Sequence, residues 1–390
     1  MSRRRVLHSA GIGALTVAVT GTGMLSYRAY DNRVLGADGG AAFDAWRHWR
    51  DDAGPRGVLA AAVLAASPHN TQPWLFHLSG DDRIELHADL SRRIGSVDPY
   101  ACETHVGLGC ALENLALAAH ARGLEPRITL RPEPGRPSLV APADLTKATQ
   151  QHSPLYDAIG YRHTNRGPYR DRPIDTAVLT DLAALADDPR ASVIWVTTRA
   201  GRDDLGDLMI RAARAVTEDE QQSRENFAWF RGSADAIEKH KDGLTLDGQG
   251  LSAVVTSAAK LMPATSRTSG DAFWVKQTRT VHTATATVYG LVLVPDRYDP
   301  LHQLTGGRLL ERIHLAVTAR GLALQHMNQI TERIDRDRSQ GRDPVFGPPL
   351  AALADRAGGD GRQVLAAFRL GHPVRPGRRS PRRPATQVLR

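Results

Sequence analysis

Six residues with hydrogen-bonding or turn-forming side chains lie directly before an apolar stretch, in the sequence SPHNTQPWLFHL at positions 67–78. The hydroxyl groups of Ser67 and Thr71 and the amide groups of Asn70 and Gln72 supply both donors and acceptors. Such a set can match the polar edge of a planar ligand. The alternative is an Asx-type turn that leads into a strand, because Asn and Ser side chains bond readily to nearby backbone.

A second polar stretch, YRHTNRGPYRDRPI at positions 161–174, concentrates cationic donors. A phosphate dianion needs several directed donors, and the planar guanidinium group of arginine supplies them as a fork. Residues of this type lie within one short segment: Arg162, His163, Thr164 and Arg166. The alternative is an ordinary solvated basic loop.

Length and composition limit the class of protein. A chain of 390 residues with 41% hydrophobic and 24% charged residues is typical of a globular protein with two domains. The formal charge of +8 favours anionic partners without choosing among them. Cys102 and Cys110 are too few for a disulfide framework and are expected to be buried core residues. The sequence contains no Walker A, HExxH or GxSxG motif, and its fifteen histidines lack metal-ligand spacing.

An internal similarity predicts how these motifs are positioned. The segment LENLALAAHARGL at 112–124 matches LERIHLAVTARGL at 310–322 in eight of thirteen positions. Each copy has the apolar spacing of a helix with one buried face and ends at a glycine, Gly123 or Gly321. Two copies 198 residues apart indicate a duplicated domain, although Ala- and Leu-rich helices also resemble one another by chance.

Further segments predict strands and connections. Alternation of apolar and polar residues predicts a hairpin at 75–78 and 83–90, and apolar runs predict strands at 191–198, 288–295 and 363–373. The proline-rich segment 131–154 is the expected junction of the two halves. Residues 217–270 are polar and glycine-rich, which is typical of a lid-like insertion or of a flexible surface loop.

The N-terminus resembles an export signal. The sequence SRRRVL at positions 2–7 precedes a weakly apolar segment at about 10–25, which is similar to a twin-arginine signal. A plain membrane anchor or a Sec signal would share these features. No A-x-A cleavage site follows, so the segment can also remain as an anchor. Residues 1–30 are therefore expected to direct export by the twin-arginine route or to anchor the protein at the membrane, with a cytoplasmic location as the alternative.

The stretches 65–78 and 161–174 together resemble the two signature elements of the FMN-dependent nitroreductase superfamily, and the double-length chain resembles its Acg-like branch. In that superfamily an arginine-rich element binds the FMN phosphate, and an Asn-x-Gln-Pro-Trp element lies against the flavin ring held by the other subunit of a homodimer. The resemblance implies that Trp74 packs beneath the ring and that the ring is contacted by these residues: Ser67, Pro68, His69, Asn70 and Gln72.

The resemblance extends to two C-terminal segments. Family members end in an RRP stretch that returns to the FMN phosphate, which implies that role for Arg379, Arg382 and Arg383. A basic tail for nucleic acid is the alternative, but the tail has no interleaved aromatic residues for base stacking. The segment LQHMNQ at 324–329 matches the place where family members contact the flavin, which implies contacts from His326, Met327 and Asn328.

The two halves lack opposite elements. The opening of the first half, at 42–52, has no phosphate motif, and the stretch before the predicted strand at 191–198 has no ring motif. A fused dimer that lost one of its two sites would show this complementary loss. We therefore expect one FMN per chain, assembled between the halves.

These observations predict an α+β protein of two fused nitroreductase-like α/β repeats that form an intrachain pseudo-dimer. The first repeat is expected at 42–150, and the second at 151–390 with its insertion at about 217–270. The expected activity is reduction of a small nitro or quinone acceptor by hydride transfer, with NADH or NADPH as donor and without nucleic acid as a partner. Because two repeats are fused, the protein can be monomeric. The alternative is a flavin-sequestering protein with a covered FMN and little turnover.

Overall fold

The computed structural model of the protein describes residues 39–131, 135–136 and 138–390. The predicted export signal at 1–30 lies outside these residues. Within the described part of the chain, no helix is both long and apolar enough to cross a membrane.

The first half contains a four-stranded antiparallel sheet in the order β1-β2-β4-β3. A long central helix, α3, connects the second strand to the third. The elements are α1 (Asp44–His48), α2 (Gly54–Ala62), β1 (Trp74–Ser79), β2 (Arg83–Ala88), α3 (Cys102–His120), β3 (Leu124–Ile128) and β4 (Leu139–Lys147). Strand β1 is buried at its start, where the side chains of Trp74 and Phe76 pack in the core.

The second half contains another four-stranded antiparallel sheet, in the order β5-β8-β10-β9. Its sheet elements, with the two helices that precede it, are α4 (Pro154–Ala158), α5 (Thr176–Ala183), β5 (Ser192–Val196), β8 (Val288–Val294), α11 (Pro300–Ala319), β9 (Ala323–His326) and β10 (Gln363–Gly371). In both halves the strand order follows the same connectivity, with a long helix between the second strand and the third.

Helices α3 and α11 pack closely against each other through glycines. A Cβ atom on Gly109 would lie 2.2 Å from the carbonyl oxygen of Leu304, and one on Gly307 would lie 2.2 Å from that of Val106. The contact is therefore reciprocal, as across a two-fold axis. Gly109 and Gly307 are 198 positions apart, as are Val106 and Leu304, and the two similar segments have the same separation.

The boundaries of the two long helices follow from their sequences. Asp98 accepts hydrogen bonds from the backbone N–H groups of Glu103 and Thr104 at the start of α3. Asp299 caps α11 and is followed by Pro300 in the first turn. The chain reverses after each helix at Gly123 and Gly321, whose φ values are 70° and 68°. The predicted helices and their C-terminal glycines are confirmed.

An insertion of mainly helical structure lies between β5 and β8. It consists of α6 (Arg199–Glu218), α7 (Glu220–Phe227), β6 (Phe230–Arg231), α8 (Ala234–His240), β7 (Leu244–Thr245), α9 (Ala253–Leu261), α10 (Arg267–Gln277) and a π-helix at Thr278–Thr283. Ser, Thr and Asp caps at 198, 219, 233, 252 and 266 divide it into short helices. The sequence predicted a smaller segment at 217–270 without assigning its helices.

The C-terminal segment after β10 returns to the first half. Helices α12 (Gln329–Ser339) and α13 (Gly347–Arg356) precede β10, and α14 (Ala385–Val388) follows it. The backbone N–H of Arg382 donates to the carbonyl oxygen of Ala42 at 2.8 Å, and that of Arg390 to Phe76 at 2.8 Å. The tail is thus held on the first sheet rather than on the sheet from which it leaves.

The predicted strands at 75–78, 83–90, 191–198, 288–295 and 363–373 are all present, within two or three residues of their expected ends. The proline-rich segment 131–154 is not a simple junction. It contains β4, whose residues Leu139, Val140 and Ala141 are buried between β2 and β3, so the halves join only after Lys147.

Candidate functional site

A cavity of about 460 Å³ lies where the two halves and the insertion meet. Its volume falls within the range of about 300–1,000 Å³ that is usual for ligand sites. One face of α3 forms part of its wall, through Glu103, Val106, Gly107 and Cys110, which follow helical spacing. The other walls come from the two polar stretches, the segment after β9, the C-terminal tail and the insertion.

The loop at 67–72, here called the ring loop, has an unusual backbone. His69, Asn70 and Gln72 have positive φ values of 48°, 55° and 53°. Non-glycine residues rarely adopt this conformation, and such strain is typical of functional sites. The loop fits against α3 because Gly107 has no side chain, since a Cβ there would lie 3.0 Å from Pro68 Cδ.

Contacts to distant segments hold the ring loop in place. The Asn70 amide nitrogen donates to Gly243 O at 3.1 Å and to Pro381 O at 3.0 Å. The Gln72 amide nitrogen donates to Lys241 O at 2.8 Å, and its amide oxygen accepts from the backbone N–H of Arg383 at 2.8 Å. These two amides therefore connect the insertion and the C-terminal tail to the ring loop.

Arg162 is deeply buried at one end of the cavity and is paired with a carboxylate. Its Nε lies 3.1 Å from Oε1 of Glu311 on α11, and its Nη2 donates to Leu64 O at 2.8 Å. Burial raises the pKa of Glu311, and the neighbouring Arg162 opposes this shift.

Two further guanidinium groups face the cavity without a carboxylate partner among the described residues. Arg166 donates to Gly248 O at 3.1 Å, and Arg382 donates to Ala65 O at 3.1 Å and to the side-chain oxygen of Asn70. Burial lowers the pKa of Arg166 to about 10 and lowers that of Arg382 as well. Arg382 lies close to the Arg162–Glu311 ion pair, so this end of the cavity carries surplus positive charge, which an anion would neutralise.

The segment after β9 also reaches the cavity. His326, Met327 and Asn328 all line it. The Asn328 side-chain oxygen accepts from the backbone N–H of Ala367 at 2.9 Å, which fixes the end of β9 against β10. The ring of His326 packs edge-on against the ring of His314 at 5.2 Å between centroids.

Three histidines of the cavity wall, His69, His282 and His326, are neutral near pH 7. Burial lowers the pKa of His69 to about 4 and that of His326 to about 3. Burial also lowers the pKa of His282, whose Nδ1 lies 3.3 Å from the Gln325 amide nitrogen. No cluster of metal-ligating side chains occurs among the described residues.

The structure brings most of the predicted site residues to this one cavity. Those in its wall are Ser67, Pro68, His69, Asn70, Arg162, His163, Thr164, Arg166, Met327, Asn328 and Arg382. Each remains a prediction as a ligand contact.

Four other residues lie outside the wall. Gln72 and Arg383 bond to each other behind the ring loop, and Arg379 donates to Gly160 O and lies over the Trp46 ring. Trp74 is fully buried in the core, so the expectation that it packs beneath a ring in the cavity is wrong. Its place at the start of β1 directs its side chain into the core.

Sequence analysis did not identify two groups of cavity residues. The insertion contributes an apolar wall that includes Phe227, Phe230, Phe273 and Trp274. Two carboxyl groups, Glu103 on α3 and Glu332 on α12, also line the cavity. Glu103 could have been found from the sequence, because it lies at helical spacing from Val106, Gly107 and Cys110 on one face of α3.

Known proteins provide a comparison for this architecture. No family model matches the chain. Two Mycobacterium tuberculosis proteins, from strains CDC 1551 and H37Rv, bear the provisional name NAD(P)H nitroreductase and are each 26% identical to this chain over 184 residues. The alignment covers 47% of this chain and 52% of each relative, so the chain spans about half the length of the curated relatives it matches. The chain is thus similar to proteins named as nitroreductases over about half of its length.

Solved structures of nitroreductases show a distant similarity. An FMN-bound nitroreductase from Desulfitobacterium hafniense is 15% identical with a TM-score of 0.35, covering 61% of this chain and 97% of that one. An FMN- and NADPH-dependent nitroreductase from sphigopyxis sp. strain HMH is 18% identical with a TM-score of 0.36, covering 56% of this chain and 88% of that one.

Proposed function

We propose that this chain is an FMN-dependent oxidoreductase that reduces a small nitro or quinone acceptor. One observation carries the proposal. The arginine-rich stretch at 162–166 and the ring loop, which lie about ninety residues apart in the sequence, form walls of the same cavity. The provisional name of the curated relatives, NAD(P)H nitroreductase, supports the same activity.

The residues present fit a phosphorylated flavin. Arg162, Arg166 and Arg382 would hold the phosphate, because they provide surplus positive charge and directed donors at one end of the cavity. The ring loop and the segment 326–328 would flank the ring. Bound FMN would supply hydride chemistry, while the neutral histidines and the aromatic wall of the insertion would keep water and stray charge away from it.

We further propose that the two halves derive from a duplicated domain and act as an intrachain pseudo-dimer with one FMN. The common strand order and the reciprocal contact of Gly109 and Gly307 support this proposal. Protein purified with its flavin should contain one FMN per chain by absorbance and protein assay. Two flavins per chain would contradict the model.

An anaerobic reduction experiment tests the activity. Holoprotein mixed with NADH or NADPH without oxygen should lose its flavin absorbance and regain it when a quinone or nitro acceptor is added. Flavin that remains oxidised with both donors, although dithionite reduces it, would contradict the oxidoreductase proposal.

Sequestration of flavin is the second candidate, and the insertion favours it. The insertion supplies much of the cavity wall, and its turn at 241–243 is bonded to Asn70 and Gln72. A closed insertion would restrict access of nicotinamide donors and acceptors to the ring. FMN that is retained through dialysis but reacts with neither donor would support this function over catalysis.

The location of the protein and its partners are also proposals. Export by the twin-arginine route suits a protein that folds around a cofactor, and the basic N-terminal segment supports either export or membrane anchoring. We propose a monomer, because fusion would supply within one chain the interface that a dimer forms between two. Fractionation of cells that express a tagged full-length chain, followed by light scattering of the purified protein, tests both points.

A further inference from the structure

Two buried carboxyl groups meet at the wall of the cavity. Glu103 lies in the first turn of α3 and Glu332 in the first turn of α12, and both side chains are more than nine-tenths buried. The two carboxyl groups hydrogen-bond to each other. Oε1 of Glu103 has no donor group as a partner among the described residues. Because two carboxylates cannot bond without hydrogen, one of them must carry a proton.

The pair lies at the opposite end of the cavity from the arginines. The cavity face of α3 extends over seven residues, from Glu103 to Cys110, which corresponds to about 10 Å of helix. Cys110 is close to the Arg162–Glu311 ion pair, because both charges affect the pKa of its thiol. The cavity is therefore bipolar, with a cationic end for an anion and a protonated acidic end.

The surroundings keep the pair protonated near neutral pH. Burial raises the pKa of Glu332 to about 8 and, together with the charge of Glu332, raises that of Glu103. The other charged groups that act on the pair are Asp98, which caps α3, and Asp335, which is paired with Arg297 at 2.6 Å. Both aspartates oppose a second negative charge on the pair.

We propose that Glu103 and Glu332 form a proton-sharing dyad that donates the proton required when an acceptor in the cavity is reduced. The inference rests on the proposed oxidoreductase function. When a quinone takes a hydride from reduced flavin, the flavin is oxidised and the quinone becomes a hydroquinone monoanion. The dyad then transfers a proton to the anionic oxygen, so that a carboxyl O–H bond breaks as the O–H bond of the hydroquinone forms, and the carboxylate left behind regains a proton from solvent.

The protonation of the dyad can be tested without flavin. Infrared difference spectra of the full chain across pH 5 to 10 should show a protonated carboxyl band at pH 7 that loses intensity as the pH rises through about 8, where Glu332 releases its proton. Glu103→Gln and Glu332→Gln should each weaken this band and the double substitution should remove the loss near pH 8, whereas Glu220→Gln, at an exposed position of α7, should leave it. A wild-type spectrum without the band at pH 7 would overturn the proposal.

Reoxidation of the flavin tests the role of the proton. Holoprotein is reduced with dithionite without oxygen and mixed with p-benzoquinone, and the return of flavin absorbance is followed by stopped flow. At pH 7 the double substitution of Glu103→Gln and Glu332→Gln should slow reoxidation about 100-fold, which is the low end of the usual contribution of a general acid. Each single variant should keep part of the rate, because burial also keeps the remaining carboxyl group protonated.

The outcomes separate the two proposals. A wild-type chain that binds no FMN, or whose reduced flavin does not react with quinone, would contradict the proposed function and with it the role of the dyad. If the wild type reacts and the double variant matches it in rate and pH profile, the oxidoreductase proposal stands and the dyad is overturned. The double substitution excludes compensation by the remaining carboxyl group.

Discussion

Two buried glutamates at equivalent positions of the repeated sequence have different surroundings. Glu311 on α11 is paired with Arg162, which comes from the loop before α5. That arginine also donates to Leu64 O, ahead of β1. The charges at this site are not balanced, because Arg382 lies close to this pair without a carboxylate partner of its own in the described chain.

The equivalent glutamate of the first half is Glu113 on α3. It is paired with two arginines of the facing helix, Arg308 at 2.9 Å and Arg312 at 2.6 Å. Arg312 also donates to Leu185 O, ahead of β5, and pairs with Asp187. Two carboxylates thus balance two arginines, and none of these four residues lines the cavity.

The comparison shows how one pair of repeated helices can support one ligand site rather than two. Both ends retain a glutamate, an arginine and a backbone carbonyl in the loop before the first strand. The arginines beside Glu113 come from the facing helix α11, and the charges there neutralise one another. The arginine beside Glu311 comes from a loop, and there surplus positive charge remains and faces the cavity.

The largest expected effect comes from removing Arg162. Arg162→Ala leaves Glu311 buried without its cation, which should lower the free energy of unfolding by about 3–5 kcal/mol and abolish FMN retention. Urea unfolding and flavin absorbance measure these effects. Adding Glu311→Gln should restore stability but not FMN.

The matched variant in the other half is Arg312→Ala. It should cost less stability, because Glu113 keeps Arg308, and should leave FMN content unchanged. Loss of flavin from Arg312→Ala would show that the two ends are not functionally different.

Removal of the unpaired charge at the cavity should weaken binding without unfolding the protein. Arg166→Gln is expected to raise the Kd for FMN about 100-fold, or about 2.7 kcal/mol, because a charged donor to phosphate is lost and no carboxylate is left unpaired. Fluorescence titration of the flavin measures the change. An unaltered Kd would remove Arg166 from the phosphate site.

The reciprocal helix contact predicts similar costs in the two halves. Gly109→Ala and Gly307→Ala each place a Cβ about 2.2 Å from a facing carbonyl oxygen, so each should destabilise the protein by about 1–3 kcal/mol. Chemical unfolding of the two variants provides the comparison. A large cost for one and none for the other would contradict the two-fold relation of α3 and α11.

A further expected effect concerns acid stability at the cavity. His326 is neutral when folded, since its pKa is lowered to about 3, whereas in the unfolded chain it takes up a proton near its ordinary value of 6.5. Stability contributed by its neutral form is therefore present above pH 6.5 and is lost as the pH falls toward 3, by about 1.4 kcal/mol per pH unit. His326→Gln should flatten this slope in unfolding experiments between pH 6.5 and 4. Equal slopes in the two proteins would contradict the low pKa.

Sequence analysis predicted most of the framework. Periodicity located the strands and both long helices, because the alternation of apolar residues reflects burial directly. Local chemistry also singled out the ring loop and the stretch at 162–166, since directed donors are recognisable from residue type alone. The match at 112–124 and 310–322 further indicated that both segments belong to related units.

The tertiary structure decided which of these residues share a site. Trp74 follows the ring loop in sequence but enters the core, because strand direction rather than proximity in sequence determines which way a side chain faces. Arg382 reaches the cavity while Arg379 and Arg383 do not, since the tail is held on the first sheet by backbone bonds that leave no pattern in the sequence. The Glu103–Glu332 pair joins residues 229 positions apart, and only the folded chain brings those two carboxyl groups together.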